Sequence, residues 1–133
     1  YAINDQFLKF WFRFIYKYSH IIEAGGNDRL RAIAERDFAT FSGKSLESYF
    51  FEVLKESGAY TRLGYWHGRK GENEIDIIAE DELGDKIEFI EVKRQAKNFD
   101  ENVLKNKSAL FLKAVGTFKE YDIIYKGLSI EDM

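Results

Sequence analysis

Two isoleucine-rich runs near the middle of the chain restrict the fold more than any other feature. EIDIIA occupies 74–79 and KIEFIEVK occupies 86–93, joined only by the polar stretch Glu80 to Asp85, which contains Gly84. Short β-branched runs bounded by turn residues read as strands, so the segment is expected to form two adjacent antiparallel strands with a hairpin turn between them. Each run also carries charge where its neighbours are apolar. Asp76 stands among Ile75, Ile77 and Ile78. Glu91 and Lys93, two residues apart, project from the same strand face as Ile87 and Phe89. A carboxylate in such a setting is costly unless a cation or hydrogen bonds compensate it.

The flanking sequence reads as helix before the hairpin and as helix plus strand after it. Asn4 or Asp5 can cap a first helix, along which Phe7, Phe10, Trp11, Phe14, Ile15 and Tyr18 follow one helical face. Leu8 and Phe12 widen that stripe, and core packing is expected ahead of a dedicated binding surface. Gly25-Gly26 closes a helical hairpin, and a second helix starting at Asn27 or Asp28 is expected to reach Phe41 and end at Gly43. Ser45 then caps a third helix, with Leu46, Tyr49, Phe50, Val53 and Leu54 on its apolar face, ending near Gly58. Strands are expected at 60–66 and 121–125. A helix over 100–115 offers Leu104, Ala109, Leu110, Leu112 and Ala114 for burial. The resulting class is α/β: an α-β-β-β-α-β core with a mixed central sheet flanked by helices, at 43–133, preceded by a helical hairpin at 1–42.

Composition removes several functions. With no cysteine there is no disulfide framework and no Cys-based zinc site, and a cytoplasmic setting is the default. His20 and His67 lack ligand-like spacing, which leaves a hard ion held by carboxylates as the metal to expect. Lys9, Arg13 and Lys17 interrupt the only candidate membrane span, which would need roughly 20 apolar residues. The net charge of −3 gives no global attraction to nucleic acid, so DNA contacts would fall to local patches. Two exist: Arg69 with Lys70, and Arg94 with Lys97 beside Lys93. A start at Tyr1 without methionine is what a piece of a longer protein would show.

If the hairpin brings Asp76 near Glu91, the two carboxylates and the backbone carbonyl of Val92 make an oxygen pocket suited to Mg²⁺ or Mn²⁺. Lys93 would then orient or deprotonate a water and offset charge developing on a phosphodiester. The alternative is an ordinary ion-pair cluster at a strand end, and for the triplet Glu-x-Lys alone that alternative is favoured.

The order of helix, strand aspartate and Glu-x-Lys resembles the PD-(D/E)xK nucleases, the restriction-endonuclease-like superfamily, and within it the Holliday-junction-resolvase-like branch. That resemblance implies Glu47, on the helix, as an additional metal or water ligand, with Glu52 as its rival. YAINDQFLKFWFRFI, the Ile22-Glu23-x-Gly25 turn, the EIDIIA and IEVK strands and the closing LSIED also resemble the C-terminal domain of archaeal and bacterial AAA-type ATPases. The resemblance implies an upstream ATP-binding module and a winged-helix segment; this chain holds no G-x-x-x-x-G-K-[ST] of its own. The aromatic first helix would then link to that module. The expected function is metal-dependent cleavage of DNA. A catalytically silent nuclease fold that binds DNA or a protein partner is the alternative, and a homodimer resting on the aromatic helix is a third.

Overall fold

The computed structural model describes residues 5–133. The described residues divide into two compact units, the first ending at Ser45 and the second spanning Leu46–Met133.

In the first unit Asp5 caps helix α1 (Gln6–Phe10), its side chain accepting the Leu8 N–H at 2.9 Å. Asn4, the other candidate cap, lies outside the described residues. The single long helix expected here is instead three pieces: α1, a π-helical turn over Trp11–Tyr16, and α2 (Ser19–Glu23). The wider π turn is closed by the Lys17 N–H on the Phe12 carbonyl at 3.2 Å. It packs Phe14 edge-on against Phe41, with ring centroids 5.3 Å apart, while Arg13 reaches Asp37 at 3.0 Å. Core burial of the aromatic stripe is correct for Phe14 alone. Phe7 is 71% exposed, and Leu8, Phe12 and Tyr16 are also exposed, because the stripe is wider than the surface it packs on.

Helix α3 (Asn27–Ser57) corrects a second expectation: it is continuous where two helices separated by Gly43 are expected. A lone glycine weakens a helix interior by about 1 kcal/mol without ending it. Termination needs proline or a left-handed residue, and Gly58, at φ 69°, supplies the latter just past Ser57.

The second unit is built on a four-stranded sheet in the order β1-β2-β3-β4: Arg62–Trp66, Ile75–Asp81, Lys86–Val92 and Asp122–Leu128. β1 and β2 are antiparallel, as are β2 and β3, while β3 and β4 run parallel through the crossover helix α4 (Glu101–Val115). The sheet is mixed, as the sequence predicts. β2 extends to Asp81, so the hairpin turn is tighter than Glu80 to Asp85. Asp81 Oδ1 accepts the Gly84 N–H at 3.1 Å, and Asp85 takes the left-handed conformation at φ 51°. Asp100 caps α4 by accepting the Asn102 N–H at 2.9 Å, and Gly116 closes it at φ 69°.

Alternation along β2 and β3 sends side chains to two cores. Ile77, Ala79, Ile90 and Val92 pack against Leu46 and Phe50 of α3. On the opposite face Ile78, Ile87 and Phe89, with Ile75, pack against Leu104 of α4. Of the residues expected to be buried on α4, Leu104 is fully buried and Leu112 packs beside it, whereas Ala109, Leu110 and Ala114 are exposed; Ser108 and Phe111 complete the inner face. Both central strands are thus covered on both faces, which holds the charged residues at their ends in place.

Candidate active site

The ladder between β2 and β3 runs from Asp81↔Lys86 to Ile77↔Ile90, and Asp76 and Glu91 are the next residues beyond it on the two strands. Asp76 stands between Ile75 and Ile77, which pack on opposite faces of the sheet, and the charges of Glu91, Lys93 and Lys107 all act on its carboxyl; Glu91 shares the face of Phe89, on the α4 side. The Val92 N–H donates to Asp76 Oδ2 at 2.8 Å. The N–H and C=O of one strand residue point to the same side, which turns the Val92 carbonyl toward β2 as well.

Glu91 is 4% exposed, and its Oε1 accepts two cations: Lys93 Nζ at 3.3 Å and Lys107 Nζ at 2.9 Å. Lys107 comes from α4 and is a functional candidate that the Glu-x-Lys pattern leaves out. A signal for it does exist in the sequence, since it stands three residues after buried Leu104 and four before Phe111, on the apolar face of the helix. A lysine in that stripe is held there by a carboxylate. Beside Glu91, the parallel partner is Gly127, and a methyl group at Gly127 would overlap the Phe99 ring. Only glycine lets that ring lie over the strand next to the site.

Burial pushes the Asp76 carboxyl above its ordinary range, and the charge of Glu91 pushes the same way. The Val92 N–H and the charges of Lys93 and Lys107 oppose them without cancelling them. A raised folded-state value means that the stability contributed by protonated Asp76 is fully present below the ordinary carboxylate value of 3.8 and is lost as pH rises through the folded value. Asp76→Asn, which keeps an acceptor for Val92 but never ionises, is therefore expected to exceed the wild type in urea midpoint near neutral pH. The gain should vanish at about pH 3.5. A difference that is the same at both pH values would remove burial of a charged Asp76 as its cause.

The other candidate residues divide between the two sides of the sheet and its end. Arg69 and Lys70 sit exposed in the turn between β1 and β2, and Arg94 and Lys97 sit exposed in the connection from β3 to α4. By topology both loops lie at the end of the sheet where Asp76 and Glu91 stand. Tyr65 joins them there: it is 72% exposed and stacks on His67 with ring centroids 6.3 Å apart. Glu47, half-buried, and Glu52, exposed, are on α3, whose Leu46 and Phe50 cover the other face of β2 and β3. Among the described residues no group of three or more His, Cys, Asp or Glu side chains is arranged to hold a metal ion. The two carboxylates stand as a pair. Oδ2 of Asp76 accepts the Val92 N–H, and Oε1 of Glu91 accepts both lysines.

No helix among the described residues is long and apolar enough to cross a membrane. No curated protein and no solved structure matches the chain. A family model described as archaeal and bacterial proteins of unknown function matches residues 11–108. That match takes in the first unit from Trp11 onward, strands β1 to β3 and Lys107, well over half of the sequence, and the chain belongs to this family.

Proposed function

We propose that this chain carries a divalent-metal-dependent site for hydrolysing phosphodiester bonds in DNA, on a restriction-endonuclease-like sheet. The observation that carries the reading is the meeting of Asp76, Glu91 and Lys93 at one end of the sheet, where Asp76 accepts the Val92 N–H and Lys93 pairs with Glu91.

The donor set fits Mg²⁺ or Mn²⁺. Magnesium commonly takes one or two carboxylates and fills its other positions with water and substrate oxygens, so a pair without a third carboxylate is sufficient. Asp76, Glu91 and the Val92 carbonyl are the residues that would hold it. Bound there, the ion would stabilise phosphoryl charge and lower the pKa of a water. Lys93, with a side chain 38% exposed, can reach from Glu91 to a substrate and take up or direct a proton at Nζ. Arg69, Lys70, Arg94 and Lys97 would meet the phosphate backbone, with Tyr65 available for stacking on an unpaired base. An upstream AAA-type ATPase module belongs to the same proposal, as does a cytoplasmic setting.

One observation favours a second reading, a silent nuclease fold that binds DNA or a protein. Two lysines already neutralise Glu91, as in a purely structural buried ion-pair network. Titration calorimetry separates the two. Wild-type protein is expected to bind Mg²⁺ or Mn²⁺ more tightly with DNA present than without it, and Asp76→Asn to lose at least about tenfold in affinity. Equal binding by the two proteins, or none by either with DNA present, would favour the silent fold.

A further inference from the structure

The two edges of the sheet are managed differently. β1 is five residues long and its register with β2 shifts between Gly64 and Trp66, an irregularity that discourages pairing with another strand. β4 is seven residues long and pairs with β3 residue for residue from Asp122 to Leu128, without a shift. Among the described residues no strand pairs with its outer edge. Ile123 and Ile124 there are 38% and 37% exposed. Its one cation, Lys126, of the kind that commonly repels a neighbouring strand, is bound to Glu88 within its own sheet at 3.1 Å.

The backbone phase of β4 decides what this edge can accept. The Asp122 N–H donates to Asp85, and the Leu128 carbonyl accepts from Lys93, so the even-numbered residues direct their backbone groups to β3. Ile123 and Tyr125 therefore direct theirs outward. A second β4 placed antiparallel about a two-fold axis at Ile124 sets Ile123 opposite Tyr125 of the copy, as a pair exchanging both N–H···O=C bonds. The same axis sets Asp122 opposite Lys126 of the copy, a non-hydrogen-bonded pair with close side chains, twice by symmetry. An axis at Tyr125 would satisfy the backbone equally but would lose both charge pairs. We infer that β4 is the dimerisation edge of this chain, joining two copies into a continuous eight-stranded sheet about Ile124.

Sedimentation equilibrium and concentration-dependent hydrogen exchange test this on the chain itself. The wild type is expected to move from the single-chain mass of 15.6 kDa to twice that value in the micromolar range. The Ile123 and Tyr125 amides should slow as the dimer forms. Ile124→Lys puts two ammonium groups across the axis and should leave monomer throughout. Asp122→Lys, at an exposed position, opposes Lys126 of the copy and should weaken the dimer by about tenfold or more, with an unchanged circular dichroism spectrum. A wild type that stays monomeric at sub-millimolar concentration overturns the inference, as does a dimer indifferent to both substitutions. Slow Ile123 and Tyr125 exchange in the monomer would overturn it too, since something other than a second copy would then cover the edge.

Discussion

On the proposed nuclease reading, Lys93→Ala is expected to abolish metal-dependent DNA cleavage, a loss of roughly 10²–10⁴-fold, while the sheet stays folded. Lys93 follows the last residue of β3, its N–H donates to the Leu128 carbonyl at 2.9 Å, and its side chain lies half in solvent. Truncation therefore removes Nζ without opening a cavity. Glu91 keeps Lys107 as its counter-ion, so the buried carboxylate is not orphaned. Lys93→Arg is expected to fail as well, because a guanidinium stays protonated and directs its donors differently. The measurement is cleavage of branched, flapped and linear DNA with Mg²⁺ or Mn²⁺, with the proposed ATPase module present and absent. Wild-type rates in Lys93→Ala would place any activity at another site. A full-length protein that binds DNA through this domain and cuts none of these substrates would replace the enzyme with the recognition module.

The largest effect on stability is expected from Phe89→Ala. Phe89 is fully buried in the middle of β3, between the Phe111 ring at 5.7 Å and the Tyr125 ring at 6.0 Å. It joins the sheet to the crossover helix and to β4 at once. Removing an aromatic side chain from such a place costs about 3–5 kcal/mol, since its burial is lost and the cavity relaxes only partly. Against the roughly 5–15 kcal/mol that holds a typical domain together, this is a large share. The apparent melting temperature of the second unit should fall by more than about 10 °C. A fall of only a degree or two would mean that α4 collapses into the space, and that the β3–α4 packing is softer than its geometry indicates.

The strands were legible because their signal is local. Period-two alternation and β-branched composition at 74–79 and 86–93 act within a few residues, and the turn chemistry at Gly84 closes the hairpin whatever surrounds it. That hairpin register also made the meeting of Asp76 with Glu91 foreseeable. The helices were less legible where their boundaries depend on what they pack against. Gly43 carries the mark of a helix end and is not one, because glycine is a tolerated weakness unless the backbone turns left-handed. The aromatic first segment carried a helical pattern, yet only packing on Phe41 decided that it winds through a π turn and that Phe14 alone is buried.

What the sequence by itself determined is the β2–β3 hairpin, whose short turn, a local quantity, brings Asp76 near Glu91 and Lys93 at its open end. What only the tertiary structure decided is who else comes to that place. Lys107 reaches Glu91 because α4 crosses back over the sheet; its spacing along the helix marks it as facing inward, but which carboxylate it meets is a long-range placement. Glu47 was nominated by its position in a pattern. Its helix, α3, covers the face of Ile77, Ala79, Ile90 and Val92, opposite the face that Glu91 shares with Phe89. Strand alternation assigns a residue to a face, but the helix that covers that face is chosen by the crossover, and that choice fixes which charges share the site.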